Sequence, residues 1–243
     1  MIKSNFFPID PALLHSWEVT PAEARSIQER LREKVETEDR IEAPLRLVAG
    51  IDVGFEDNGR LTRAAIVVLD AYSLEVREQV LVRRPTTFPY IPGLLSFREL
   101  PAVIEALGQL QERPCVLLCD GQGIAHPRRL GIAAHLGVLL DIPSIGVAKS
   151  RLIGRYDKPP NRRGAWTPLV DGEECIGAVL RSRVNVKPLF VSIGHRLSLE
   201  TAVEIVMRMV TRYRLPETTR QADRLASAPS HSRRRAKKMK HSD

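Results

Sequence analysis

The stretch from residue 45 to residue 82 reads LRLVAGIDVGFEDNGRLTRAAIVVLDAYSLEVREQVLV and decides the fold. Three apolar runs rich in β-branched residues, at positions 45–53, 61–69 and 74–82, are separated by short polar links. Asn58-Gly59, between the first two runs, is a typical pair for a tight turn. The pattern therefore predicts three successive antiparallel strands.

Helices and strands are predicted to alternate on both sides of this stretch. Upstream, Thr20-Pro21-Ala22-Glu23 is typical of a capped helix start, and the helix is predicted to reach residue 38. Downstream, residues 83–95 are rich in Pro and aromatic residues and predict irregular structure, and Ser96 and Glu99 have the spacing of a second capping box. Further helices are predicted at 96–108, 127–140 and 198–213, and further strands at 115–120, 142–147, 174–180 and 188–192. This order predicts an α/β fold, a single domain with a ribonuclease H-like mixed sheet flanked by helices.

The chain carries a formal charge of +8, and much of that charge lies near its C-terminus. From residue 216 onward there are eight Lys and Arg residues against three acids, a net +5. Few apolar residues accompany them, which predicts a catalytic domain at 1–215 followed by a basic, disordered tail at 216–243. The tail would either tether phosphate without regard to sequence or only solubilise the chain.

Two aspartates follow apolar runs that are predicted to be strands. Asp52 stands in GIDVG at 50–54, and Asp120 stands in LLCDG at 117–121. If the two strands are neighbours, the carboxylates repel each other unless a cation compensates their charge. Ligands that are all oxygen suit Mg²⁺ or Mn²⁺. Either acid alone is more typical of an ordinary turn or cap residue, so the metal hypothesis depends on the pair.

Three further residues could join this chemistry, and each also has a structural explanation. Glu99 could be only the capping partner of Ser96. His195, between a strand and a helix, could bind a metal or orient water, or it could be structural. Lys149 could be a solvated charge at a strand end.

Most of the sequence resembles a known family. From about residue 21 to residue 215 the chain is similar to endonuclease V, the nucleases that recognise deaminated bases and above all deoxyinosine. The matching motifs are GIDV at 50–53, PYIPGLLSFRE at 89–99, DGQGIAHPR at 120–128, AHLG at 134–137, IGVAK at 145–149 and SIGH at 192–195.

The resemblance implies a magnesium-dependent phosphodiester hydrolase, with Mn²⁺ able to substitute. It implies a metal site formed by Asp52, Glu99 and Asp120 with His195 as a ligand or a neighbour of the ligands, and it implies that Lys149 lies near the scissile phosphate. The family cuts the second phosphodiester bond 3′ to the altered base and leaves a 3′-hydroxyl and a 5′-phosphate.

The resemblance also implies a wedge at Pro89-Tyr90-Ile91-Pro92, where two prolines stiffen a loop that carries an aromatic ring. Such a ring can fill the gap left by an extruded base. Glycine lets main-chain donors approach a base edge closely. We therefore expect the base to enter a pocket near Gly93, Leu95, Gly121 and Gly123, with His126 beside it.

Other readings of the sequence stay open. The substrate could be inosine-containing RNA instead of DNA with deaminated bases. The two Asp-containing turns could also belong to a sugar-kinase-like ATPase, or the chain could bind nucleic acid without cutting it. No apolar run is long enough to span a membrane and no secretory signal is evident, so we expect a cytoplasmic protein with no membrane partner. No obligate protein partner is inferred from the sequence.

Overall fold

The computed structural model describes Phe7 and residues 9–228. Within these residues one sheet of eight strands is flanked by helices. The strands are β1 (Leu47–Glu56), β2 (Leu61–Asp70), β3 (Val76–Pro85), β4 (Val116–Cys119), β5 (Ser144–Ala148), β6 (Trp166–Asp171), β7 (Glu174–Leu180) and β8 (Leu189–His195). The helices are α1 (Pro21–Arg32), α2 (Leu95–Leu107), α3 (Ile132–Leu140), α4 (Leu199–Met209) and α5 (Glu217–Ser227).

The strand order is β3-β2-β1-β4-β5-β8-β7-β6, and both parallel and antiparallel pairs occur in it. β1, β2 and β3 pair antiparallel, as the sequence predicts, with Asn58 in a left-handed conformation in the turn between β1 and β2. β4 lies parallel to both β1 and β5, and β8 runs antiparallel to β5. This confirms the predicted fold class, a mixed α/β sheet of the ribonuclease H kind.

Helices cover both faces of the sheet. On one face α2 and α3 pack against alternate residues of the central strands, among them Ile51, Ile66 and Leu117. On the other face α4 packs against Val116 and Leu118 with their neighbours, and α5 packs against β1 and β2. Strands covered on both faces explain why the sequence shows continuous apolar runs instead of an alternation.

Several predicted bounds differ from the observed ones. α1 has the predicted capping box but ends at Arg32, six residues early. α3 begins only at Ile132, because Arg129 adopts a left-handed conformation and Gly131 is the N-cap. The sequence analysis missed β6, an edge strand that contains Pro168, because proline is rare within strands although an edge strand tolerates it.

The predicted domain boundary at residue 215 is wrong for the residues that the structure describes. Residues 217–227 form α5, which buries Thr218, Thr219, Ala222 and Ala226. The apolar side of this short helix is too small to stand out by composition, and its packing on β1 and β2 stabilises it. The rest of the predicted tail, 229–243, lies outside the described residues. Among those described, no helix has the length and apolar character needed to cross a bilayer.

Candidate active site

Asp52 and Asp120 lie side by side where β4 ends against β1. β1 and β4 are in register through Ile51 and Cys119, and the Asp120 amide donates to the Ile51 carbonyl at 2.9 Å. β1 continues to Glu56, so Asp52 lies inside its strand and not at the strand end that the sequence predicted. The parallel register, and not a shared strand end, is what brings the two carboxylates together.

A third carboxylate, from Asp223 of α5, joins this pair. Asp52 is flanked on its own face of β1 by Gly50 and Gly54, and α5 lies directly over these glycines. A Cβ on Gly50 would come within 2.2 Å of the Thr218 backbone, and one on Gly54 within 3.0 Å of the Ala226 carbonyl oxygen. The glycines therefore let the helix backbone approach until one ligand atom each of Asp52, Asp120 and Asp223 lies within 4.8 Å of the others.

Lys149, which follows β5, forms ion pairs with two of these acids. Its Nζ lies 2.6 Å from Asp120 Oδ2 and 2.9 Å from Asp223 Oδ1. Burial lowers the pKa of Lys149, but its hydrogen bonds to the two carboxylates outweigh this and raise the pKa above its usual value. The Arg214 guanidinium donates to the Lys149 carbonyl at 2.7 Å and ties this backbone in place. Lys149 is therefore a fixed positive charge at the edge of the acidic cluster.

Glu99 approaches the cluster from α2, on the opposite face of the sheet. Burial, then the charges of Asp52 and Asp120, raises the pKa of Glu99 from 4.5 to about 8. Burial, then the charge of Asp120, likewise raises the pKa of Asp52 to about 7. Carboxylates held together at this cost in charge repulsion and desolvation are typical of a cation site. A set of oxygen ligands with one neighbouring ammonium suits a hard divalent cation.

The predicted capping box at the start of α2 is wrong. α2 begins at Leu95 without a side-chain cap, and the Ser96 hydroxyl instead lies 2.9 Å from Nδ1 of the buried His135. Glu99 is therefore not a capping partner and is available to the acidic cluster. An uncapped helix start also leaves first-turn amide donors for a ligand.

The structure does not place His195 in the site. His195 pairs with Ser144 at the start of β5, whereas the acids lie near the C-terminal end of the parallel strand β4, at the opposite end of these strands. Its Nδ1 accepts a hydrogen bond from the Glu36 amide, and its Nε2 lies 3.5 Å from Asp141. His195 is thus a buried structural residue, because β8 runs antiparallel to β5 and carries its C-terminal end away from the acids.

One cavity of about 380 Å³ joins the acidic cluster to the predicted wedge. Glu99, Asp120 and Lys149 line one part of it, and Tyr90 and Pro92 line another. The Tyr90 side chain is 68% exposed. Pro89 is also exposed, while Ile91 is partly buried against a cluster that contains Phe88 and Leu94, so the loop is anchored below its exposed ring.

Most of the predicted base-pocket residues line the same cavity, and one does not. The lining includes Gly93, Leu95, Gly121 and His126. Gly123 is a packing residue, because its amide donates to the Ser192 hydroxyl at 2.8 Å and an added Cβ would lie 1.9 Å from the Ile193 carbonyl oxygen.

Sequence reasoning missed Asp223, because it assigned the whole segment after Pro216 to a tail. A signal was present in the sequence. Thr218, Ala222, Leu225 and Ala226 follow a helical spacing of four, three and one, which places them on one face beside Asp223. Three strand and helix acids beside a lysine, on a ribonuclease H-like sheet, define a metal-dependent phosphodiester hydrolase as the class of protein.

Comparison with known proteins identifies the family within this class. The family model for endonuclease V matches residues 29–224, a range that includes Asp223 and extends past the predicted boundary. Endonuclease V of Nostoc punctiforme is 58% identical over 214 residues, covering 88% of this chain and 97% of the relative. Endonuclease V of Roseiflexus sp. is 55% identical and covers 90% and 97%.

Solved structures agree with this assignment. Endonuclease V from Streptomyces avermitilis superposes with a TM-score of 0.83 at 42% identity, covering 93% of this chain and 96% of that one. A variant of Ciona intestinalis endonuclease V, in complex with a 23mer DNA containing an inosine followed by a ribo-adenosine, has a TM-score of 0.77 at 31% identity, covering 91% and 100%. The chain therefore belongs to the endonuclease V family. It is an endonuclease, a hydrolase that acts on DNA, which excludes the sugar-kinase-like and purely binding readings.

Proposed function

We propose that this endonuclease nicks one DNA strand at the second phosphodiester bond 3′ to deoxyinosine, and leaves a 3′-hydroxyl and a 5′-phosphate. The observation that carries the proposal is the single cavity shared by the acidic cluster and the exposed Tyr90. An enzyme that cuts beside a lesion needs a base pocket and a hydrolytic centre a short distance apart. The inosine-containing DNA bound by the Ciona relative supports the same choice of lesion. We place this repair activity in the cytoplasm.

We propose Mg²⁺ as the ion, with Mn²⁺ able to substitute, held by Asp52, Asp120 and Asp223 and approached by Glu99. When bound, such an ion supplies Lewis-acid polarisation of phosphoryl oxygens and a lower pKa for water. Lys149, fixed between Asp120 and Asp223, offsets the negative charge that develops on the phosphoryl group. Glu99 would accept a proton on its carboxylate from the attacking water, because a bound cation would offset the charges of Asp52 and Asp120 that raise the pKa of Glu99 and would keep its carboxylate ionised.

We propose that the lesion is selected in the pocket beside Gly93, Leu95 and Gly121. A flipped base leaves a gap in the duplex, and stacking of the Tyr90 ring there offsets part of the cost of unstacking. Hypoxanthine carries an O6 acceptor where adenine carries an amino group. Main-chain amides at the uncapped start of α2 would donate a hydrogen bond to O6 of hypoxanthine. In adenine the same amides would face the amino group, which is also a donor, and no hydrogen bond would form.

The test is to incubate the protein and Mg²⁺ with end-labelled duplexes that differ only by one deoxyinosine, and to map the cut. We expect one nick, one nucleotide beyond the 3′ linkage of the inosine itself. Asp52→Ala and Asp120→Ala should abolish the nick yet retain duplex binding in Ca²⁺. Equal cutting of the inosine-free duplex would refute lesion specificity, and full activity of either variant would refute the metal site. A matched RNA strand in the same assay measures the preference between DNA and RNA.

A further inference from the structure

The carbonyl oxygen of Gly93 accepts hydrogen bonds from three side chains. Gln28 Nε2 donates at 3.1 Å, Arg128 Nη2 at 2.8 Å and His126 Nε2 at 3.1 Å. The proton of His126 lies on Nε2, because Nδ1 accepts from the Arg128 amide at 3.2 Å. A carbonyl oxygen has two lone pairs, so three donors use this acceptor completely and fix its peptide plane.

Gln28 of α1 joins these donors into one network. Its Oε1 accepts from Arg128 Nε at 2.6 Å, and its Nε2 also donates to the Leu130 carbonyl at 3.1 Å. The residue is only 1% exposed, so water does not compete for these bonds. One buried amide thus connects α1, the segment that contains Arg128 and Leu130, and Gly93.

Gly93 occupies the junction between the exposed loop and α2. It follows Pro92 directly, and α2, which carries Glu99, begins two residues later. Its φ of +77° is strained for other residues, and an added Cβ would come within 2.8 Å of Arg128 Nη2. The orientation of Tyr90 relative to Glu99 therefore depends on how firmly this junction is held.

We propose that Gln28 is a positioning residue for opening the base pair. By holding Gly93, Gln28 keeps Tyr90 in a fixed orientation at the mouth of the cavity. The inference rests on the proposed function. An ordered loop does not lose conformational entropy when it enters the duplex, whereas a loosened loop does. An inosine that is already unpaired needs no separation from a partner strand. Loss of the Gln28 contacts should therefore weaken action on duplex DNA much more than action on single-stranded DNA.

The experiment compares the wild type with Gln28→Met, which keeps the side-chain length and removes both hydrogen-bonding groups. Gln111→Met, at an exposed position, is the matched control. Each protein is assayed with Mg²⁺ on one end-labelled deoxyinosine strand, used alone and annealed to its complement. For Gln28→Met we expect KM on the duplex to rise about tenfold and KM on the single strand only about twofold, because Gly93 also borders the base pocket that both substrates enter. The kcat values should stay within about twofold, because the hydrolytic residues are untouched.

The decisive quantity is the duplex to single-strand ratio of kcat/KM, because the fraction of correctly folded enzyme cancels in it. An unchanged ratio would overturn the inference, whether both substrates are cleaved as well as by the wild type or both lose activity equally. Equal losses would leave Gln28 a purely structural residue. If Gln28→Met does not fold, Gln28→Glu removes the donor to Gly93 while keeping an acceptor for Arg128, and the same ratio decides. Failure of the wild type to nick either inosine substrate would instead refute the proposed function.

Discussion

Replacing Glu99 with Gln should stabilise the metal-free protein at alkaline pH while removing its cleavage activity. Burial and the neighbouring carboxylates raise the pKa of Glu99 from 4.5 to about 8 in the folded protein. The folded state therefore holds this proton to higher pH than the unfolded state does. Stability is accordingly lost as pH rises from about 4.5 to about 8 and stays low above that range. A glutamine has no proton to lose, so the variant escapes the loss.

The magnitude follows from the same two pKa values. They differ by about 3.5, and each unit corresponds to about 1.4 kcal/mol, which sets an upper limit of about 5 kcal/mol. The effective dielectric constant around charged groups in proteins is high enough to weaken both desolvation and charge repulsion, so we expect roughly 2 kcal/mol. In a domain of this size, 2 kcal/mol corresponds to a rise in Tm of about 4–8 °C.

The assay is thermal unfolding in EDTA at about pH 9 and at about pH 5, with nicking of the deoxyinosine duplex measured in parallel. Glu105→Gln, also on α2 and at a carboxylate that lies 3.4 Å from the Arg84 guanidinium, is the control and should shift Tm little at either pH. At pH 5 the advantage of Glu99→Gln should fall to less than about half of its value at pH 9, because only the first part of the interval between the two pKa values has then been crossed. A Tm equal to or below that of the wild type at pH 9 would refute the electrostatic reasoning, and so would an equal gain from Glu105→Gln.

Two further predictions concern the other charged residues of the site. Asp223→Asn should lower the nicking rate by on the order of a hundredfold or more while Ca²⁺-supported duplex binding persists, whereas deletion of 229–243 should preserve nicking at saturating duplex. Near-wild-type nicking by Asp223→Asn would remove α5 from the site. Lys149→Met should lower kcat by on the order of a hundredfold with little change in duplex affinity, and a similar loss in the exposed Lys158→Met would contradict a specific role.

The sequence by itself determined most of the sheet and the central pair of acids. Apolar runs of strand length predict every strand except β6, and Asp52 and Asp120 stand out because each directly follows such a run. Tyr90 between two prolines is equally local, since a stiff loop with an exposed ring needs no distant partner. These features depend on neighbouring residues, and the motif resemblance made the family recognisable before the fold was known.

Tertiary structure alone decided which residues complete the site. The sequence predicted His195 in the site, but the structure places Asp223 there instead. The direction of β8 and the docking of α5 on Gly50 and Gly54 decide this, and both are set by long-range packing. The same holds for Gln28, whose partner Gly93 lies 65 residues away along the chain. A sequence shows which side chains can do chemistry, but the distances between them are fixed only when the helices close over the sheet.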